Sequence, residues 1–202
     1  MKTFTRHGAA ATGIAGAIAL VLGLAAAATQ GPAAVAGALA PELSSELAAV
    51  RDQLAKYKDP VAAVHDGYFS TLGCVHYKDG AMGVHFLNTA LISPEPDPAK
   101  PQLLIYEPVG DKLELVAAEW LVPLATGITE RPTIFGQPFN GPMAGHEPLM
   151  PDGLHHYDLH VWLFKENPAG VFATTNPAVS CDGYGYAMLE EPTATVAHDG
   201  AH

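Results

Sequence analysis

The residues with the most chemistry per unit length stand in one stretch, His155-His156-Tyr157-Asp158-Leu159-His160-Val161-Trp162. It reads as a β-strand, in which alternate side chains share a face. His156, Asp158 and His160 then project together at a spacing of about 7 Å, and Trp162 and Phe164 continue that face. Two imidazoles and a carboxylate beside aromatic rings are the donor types that hold a transition metal or move protons. Only His160 sits well inside the strand; His156 is near its start and His155 points to the other face. A site therefore needs partners from neighbouring strands.

Register supplies candidates for those partners. Met82 to Asn88 alternates as a strand, with Gly83, His85 and Leu87 on one face and Val84 and Phe86 on the other. Leu103–Glu107 and Leu113–Val122 flank Val109-Gly110-Asp111-Lys112, a hairpin signature. A turn centred near Gly110 sets Glu107 opposite Leu113 and Ile105 opposite Leu115. Pairing the preceding strand with Leu103–Glu107 sets His85 opposite Ile105. His85 and Glu107 become diagonal neighbours, about 7–8 Å apart at Cβ. The expected metal ligands are thus His85, Glu107 and His160, with His156 or Asp158 as a fourth ligand or as a partner that orients one.

Glu119 is a reserve ligand. It shares a face with Leu113, Leu115, Ala117 and Leu121, where a carboxylate needs a buried partner or a raised pKa. The same register leaves it about 20 Å from Glu107. The ion would be a divalent transition metal: zinc, copper or iron. The plainer alternative is that these side chains are solvated or hydrogen-bonded on ordinary strand faces. A second alternative is an apolar small-molecule pocket walled by Phe86, Trp162 and Phe164.

The elements that must carry these residues are legible in outline. Leu43, Leu47, Val50, Leu54 and Tyr57 recur at helical spacing, with Ser44 or Ser45 placed to cap. Asp59-Pro60 reads as cap and first-turn proline of a short second helix ending near His65, where an imidazolium suits the helix dipole. Strands follow from Gly67. The Pro-rich stretch 93–98 is a loop, because proline donates nothing to a ladder. Residues 131–154 hold four Gly and five Pro among twenty-four, without apolar period. Such long loops in compact domains are often functional covers. His146-Glu147 within it either closes over a site or merely decorates a turn. A last strand is expected near Val171–Thr175.

The N-terminus has the pattern of a secretory signal: Lys2 and Arg6, then a small and apolar run from Ala9 to Ala28. Ala26-Ala27-Ala28 and Ala34-Val35-Ala36 both fit cleavage; an uncleaved anchor is the competing reading, since about 20 apolar residues can span a bilayer. Residues 1–40 hold two of the ten basic residues and none of the 21 acidic ones, so without them the net charge moves from −11 to −13. That surface repels phosphate backbones, and no basic patch interleaved with aromatics appears, which argues against nucleic acid. Cys74 and Cys181, the only cysteines, are expected to form a disulfide in an exported chain. No Gly-x-Ser-x-Gly elbow, Walker or dinucleotide fingerprint occurs.

The segments Gly80-Ala81-Met82-Gly83-Val84-His85-Phe86, Leu104-Ile105-Tyr106-Glu107, Phe135-Gly136-Gln137-Pro138-Phe139 and Asp158-Leu159-His160-Val161-Trp162 resemble a group of exported bacterial proteins that has no assigned activity. The likeness covers most of residues 60–181. Architecture alone is similar to cupins, small barrels that bind metal through His and Glu on strands. Here the cupin His-x-His followed by Glu is absent, because His85 has no His two residues away.

The sequence is therefore read as a signal and lead-in (1–40), one α+β domain (41–190) and a flexible tail (191–202). Short N-terminal helices pack on a curled antiparallel β-sheet, barrel- or cone-like. The expected function is an exported protein (periplasmic, cell-envelope or extracellular) whose His/carboxylate site binds a divalent metal or small ligand. The alternative is a non-enzymatic binding or structural protein with an apolar pocket. Catalysis and oligomeric state stay open, and no stable membrane span is expected after processing.

Overall fold

The computed structural model describes residues 43–198. The signal and lead-in expected over residues 1–40 lie outside the described residues. Helix α1 (Ser45–Leu54) is capped by Ser44, whose Oγ accepts the amide of Leu47 at 3.3 Å. Glu46 in its first turn and Arg51 in its last suit the helix dipole. Leu47, Val50 and Leu54 form its buried stripe. A 3-10 turn buries Tyr57, and Asp59 then caps α2 (Pro60–His65), with Pro60 in the first turn and His65 in the last.

The strands are β1 (Phe69–Tyr77), β2 (Gly80–Leu87), β3 (Leu103–Val109), β4 (Lys112–Pro123), β5 (Thr133–Ile134), β6 (Gln137–Pro138), β7 (Asn140–Met143), β8 (His156–Val161) and β9 (Ala187–Leu189). Seven form one curled half-barrel sheet in the order β7-β8-β4-β3-β2-β1-β9, and β5–β6 is a separate ribbon. The α+β class, with short helices packed on a mostly antiparallel curled sheet, is as the sequence predicts. One strand differs. Residues 171–175 form no strand; the last is β9, which runs parallel to β1. Nearby, Asn176 makes only an isolated bridge with Ala81.

Alternation divides the sheet into two faces. One carries Val84, Phe86, Leu104, Tyr106, Trp120 and Val122, which join Leu47, Val50, Leu54 and Tyr57 in the main apolar core. Two polar tips anchor this core: Tyr106 Oη donates to Tyr57 O at 2.7 Å, and Trp120 Nε1 donates to Asp97 O in the Pro-rich loop at 2.8 Å. The other face carries His85, Leu103, Ile105, Glu119, Leu121 and the three polar residues of β8, as the pairing dictates.

Two registers decide where the site forms. His85 stands opposite Ile105, as predicted. The β3–β4 hairpin differs: Glu107 faces Glu114 rather than Leu113, and Ile105 faces Ala117 rather than Leu115. The loop is the two-residue Gly110-Asp111, with Gly110 at φ 61°, and a bulge follows between Ile105 and Tyr106. Together they advance β4 by two residues relative to the expected pairing, about 7 Å along the strand.

Cys74 and Cys181 form a disulfide. No described helix is long and apolar enough to cross a membrane. The segment after Glu190 makes contacts with the sheet: Val196 N donates to Pro142 O at 2.9 Å, and Thr195 bridges Met143.

Candidate metal centre

The advance of β4 brings Glu119, not Glu107, to His85. Glu119 pairs directly with His160 of β8 and sits one diagonal step beyond His85 across β3. Strands lie about 4.8 Å apart, so side chains from β2 and β4 meet only by leaning over β3. They do meet: His85 Nε2 is 3.4 Å and His160 Nε2 3.5 Å from the same atom, Glu119 Oε2. The two imidazole rings stand perpendicular, centroids 6.2 Å apart.

All three side chains are buried, at 8 %, 5 % and 1 % relative exposure for His85, Glu119 and His160. Yet Glu119 Oε2 and both ring nitrogens of His160 make no hydrogen bond. Buried polar atoms are almost always satisfied, and an orphan costs about 1–3 kcal/mol. Two of these atoms, Glu119 Oε2 and His160 Nε2, face each other beside His85 Nε2, an arrangement that could hold an ion. Their spacing fits as well. Ligands about 2.1 Å from a tetrahedral ion lie roughly 3.4 Å from one another, which matches both contacts to Glu119 Oε2. Burial raises the pKa of Glu119, but His160 and His85, with His156 behind, outweigh it and hold the carboxyl at about 2. Glu119 is thus an anionic donor.

A second group adjoins the first. His146, His156 and Asp158 bring one ligand atom each to within 4.8 Å of one another. Asp158 Oδ2 also faces His160 Nδ1 at 3.8 Å, the outer nitrogen of that ring. His156 Nδ1 donates to Leu154 O at 3.1 Å, because a carbonyl only accepts, so its Nε2 is the free lone pair. Burial lowers the pKa of His146, while Glu190 opposes the shift.

All of the first group, with His146 and Asp158 of the second, line one cavity of ≈ 230 Å³ whose wall is mostly apolar and includes Leu87, Ile92, Leu103, Leu121, Leu149 and Met150; His156 lies just behind this lining. On one side the sheet itself is irregular. Between Ser70 and Cys74, β1 sets Thr71, Leu72 and Gly73 against His85 alone, with Leu72 at φ 67°. Bulges of this kind gather beside functional sites. Opposite, residues 144–154 fold over the cavity as a tight loop. Gly145 N donates to Asp152 O at 3.0 Å and Met150 N to His146 O at 2.8 Å. A Cβ on Gly145 would lie 1.9 Å from Pro151 O, so no other residue fits this turn. Only the later part of the Gly/Pro stretch expected to be one irregular loop lies over the cavity, His146 included; its first half holds the short strands β5, β6 and β7 instead.

The remaining expected residues lie elsewhere. Glu107 is buried, but its carboxylate accepts from Lys165 Nζ and from Ser180 N at 3.1 Å, and it does not line the cavity. Phe86 is on the helix-covered face, 4.6 Å from the Tyr106 ring. Trp162 Nε1 donates to Ala173 O at 2.6 Å, and the Phe164 ring lies under Lys58. None of these three lines the cavity either, so its apolar wall is aliphatic. Sequence reasoning missed Glu190, which lines the cavity; nothing in its local pattern announces it.

Glu107 has its own test. Glu107→Gln is expected to leave bound metal unchanged, as read by elemental analysis. Lys165→Met is expected to lower urea-unfolding stability by roughly 2 kcal/mol, because a buried carboxylate loses its cation. Loss of metal in Glu107→Gln would return Glu107 to the ligand set.

No family model matches the chain, and neither a curated protein nor a solved structure is found to be similar to it.

Proposed function

We propose that the protein is exported and binds a divalent transition metal through His85, Glu119 and His160, with one coordination position open to a small ligand in the cavity. The approach of two imidazole nitrogens, from His85 and His160, to the buried and unbonded Glu119 Oε2 at tetrahedral spacing carries this reading. Two imidazoles and one carboxylate suit zinc, with iron and copper next. Three protein ligands leave a fourth position, the arrangement of a site that binds or activates a ligand rather than one that only staples a fold. The chain itself contributes a mostly aliphatic wall, a covering loop and an anionic donor. Export is supported by the basic and apolar start of the sequence and by the disulfide.

Protein made without a His-tag is expected to retain at least one equivalent of metal after dialysis and Zn²⁺ reconstitution, measured by plasma mass spectrometry. His85→Ala and His160→Ala should each weaken that site by at least 100-fold. Less than a tenth of an equivalent in the wild type would sink the reading.

A second reading, a non-enzymatic carrier of an apolar molecule, is favoured by the aliphatic wall. It expects an apolar fluorescent dye to brighten on binding metal-free protein and Leu121→Phe to prevent this by filling the cavity. Equal brightening with both would dismiss it.

A further inference from the structure

We infer that a second divalent ion sits at the edge of the cavity, ligated by His146, His156 and Asp158, and that this ion fastens the 144–154 loop to the sheet. The three residues come from two elements: His156 and Asp158 from β8, His146 from the loop itself. Their ligand atoms already lie within 4.8 Å of one another, and the two imidazole rings are 5.3 Å apart.

Each histidine is oriented for ligation by its outer nitrogen. His156 gives its Nδ1 proton to Leu154 O. His146 Nδ1 lies 2.6 Å from Thr193 Oγ1 and 3.6 Å from Glu190 Oε2. A carboxylate that close favours the proton on Nδ1 and leaves Nε2 free, the arrangement in which an outer partner fixes the tautomer of a metal-binding histidine. Glu190 is itself held, accepting from Tyr77 Oη at 2.9 Å. Asp158 Oδ1 accepts from Asn140 Nδ2 at 3.3 Å.

Charge points the same way. Glu119, Asp158 and Glu190, exposed to 5 %, 2 % and 8 %, face one cavity whose lining among the described residues includes no Lys or Arg. Buried carboxylates without cations are costly. One divalent ion leaves this trio with a net negative charge; two more than balance it, and a bound hydroxide or an anionic ligand group restores neutrality. A ligand bearing a carboxylate or phosphate on a short apolar body would suit such a pair of ions.

The test uses the full-length chain without a His-tag, with Zn²⁺ as probe. Equilibrium dialysis is expected to give two equivalents for the wild type, one for His146→Ala, one for His160→Ala and none for the double variant. Zn²⁺ should slow proteolytic cutting within 144–154 at least 10-fold in the wild type and in His160→Ala, but not in His146→Ala. His156→Ala, judged by the same two readouts, covers the case that His146→Ala fails to fold. One equivalent in the wild type that survives in His146→Ala overturns the second site and leaves the first standing. One equivalent that survives in His160→Ala and is lost in His146→Ala supports the second site and removes the first. Two equivalents with unchanged loop protection in His146→Ala overturn the fastening.

Discussion

Zn²⁺ at about 100 times its dissociation constant is expected to raise the thermal midpoint by about 5–10 °C through the His85 site alone, read in the His146→Ala background, and Glu119→Gln is expected to abolish that rise. A ligand at 100 times its dissociation constant stabilises the folded state by about 2.7 kcal/mol. In a folded unit of this size each kcal/mol moves the midpoint by about 2–4 °C. Glu119 is the substitution to choose because its Oε2 is the shared vertex of both close contacts, to His85 Nε2 at 3.4 Å and to His160 Nε2 at 3.5 Å. Glutamine keeps the shape of the side chain but offers a neutral oxygen, and its amide hydrogens satisfy the imidazole lone pairs an ion would otherwise take.

The metal-free variant should be less stable than metal-free wild type, because the surrounding histidines more than offset the cost of burying the Glu119 carboxylate. Each protein's Zn²⁺ response is read against its own metal-free midpoint. The effect sought is therefore a loss of Zn²⁺ response and not a loss of fold. Both cysteines are oxidised, so the unfolded chain offers no thiolate to compete for zinc. The background is His146→Ala, which reports the first site alone. There, a Zn²⁺ shift that Glu119→Gln leaves unchanged would move the site away from these residues.

Why the sequence pointed at Glu107 is a matter of two residues. The apolar alternation of β2, β3 and β4 was enough to set strand order and to place His85 opposite Ile105. Turn length and bulges leave almost no trace in such a pattern, because a slip of two restores every side chain to its original face. The hairpin loop and the bulge together make that slip, and Glu119 arrives beside His85 instead of about 7 Å further along the strand. One signal was present. A carboxylate among Leu113, Leu115, Ala117 and Leu121 had to have a buried partner, and that partner is the histidine pair.

His160 was legible for the converse reason, lying mid-strand in a well-patterned segment. Trp162 was not, because β8 ends at Val161 and Trp162 N turns to Val171 O, so alternation stops one residue short of it. The loop that delivers His146 has no period at all, and its path is set by Gly145 and by contacts distant in sequence, such as Leu149 against Gly73. The parallel strand β9 is three residues long, too short for periodicity to register.

Replacing Cys74 and Cys181 together with alanine is expected to lower the unfolding free energy by about 4–5 kcal/mol, read from urea unfolding of the double variant beside the oxidised wild type. The cross-link spans 107 residues, and loop-closure entropy for a loop of that size is about 4.7 kcal/mol. Most domains are stable by only about 5–15 kcal/mol, so the variant should be marginal. Because the constraint acts on the unfolded chain, the denaturant slope should rise as that chain expands. The position of the bond adds a local consequence. Cys74 sits in β1 just beyond the bulge that faces His85 and pairs with Ala187 of β9, so the bond holds the C-terminal segment against the sheet. That segment carries Glu190 and Thr193, which orient His146. Zinc affinity at the loop site should therefore fall further than affinity at His85, Glu119 and His160. A stability loss below about 1 kcal/mol at unchanged slope would show that chain entropy is not what this bond supplies.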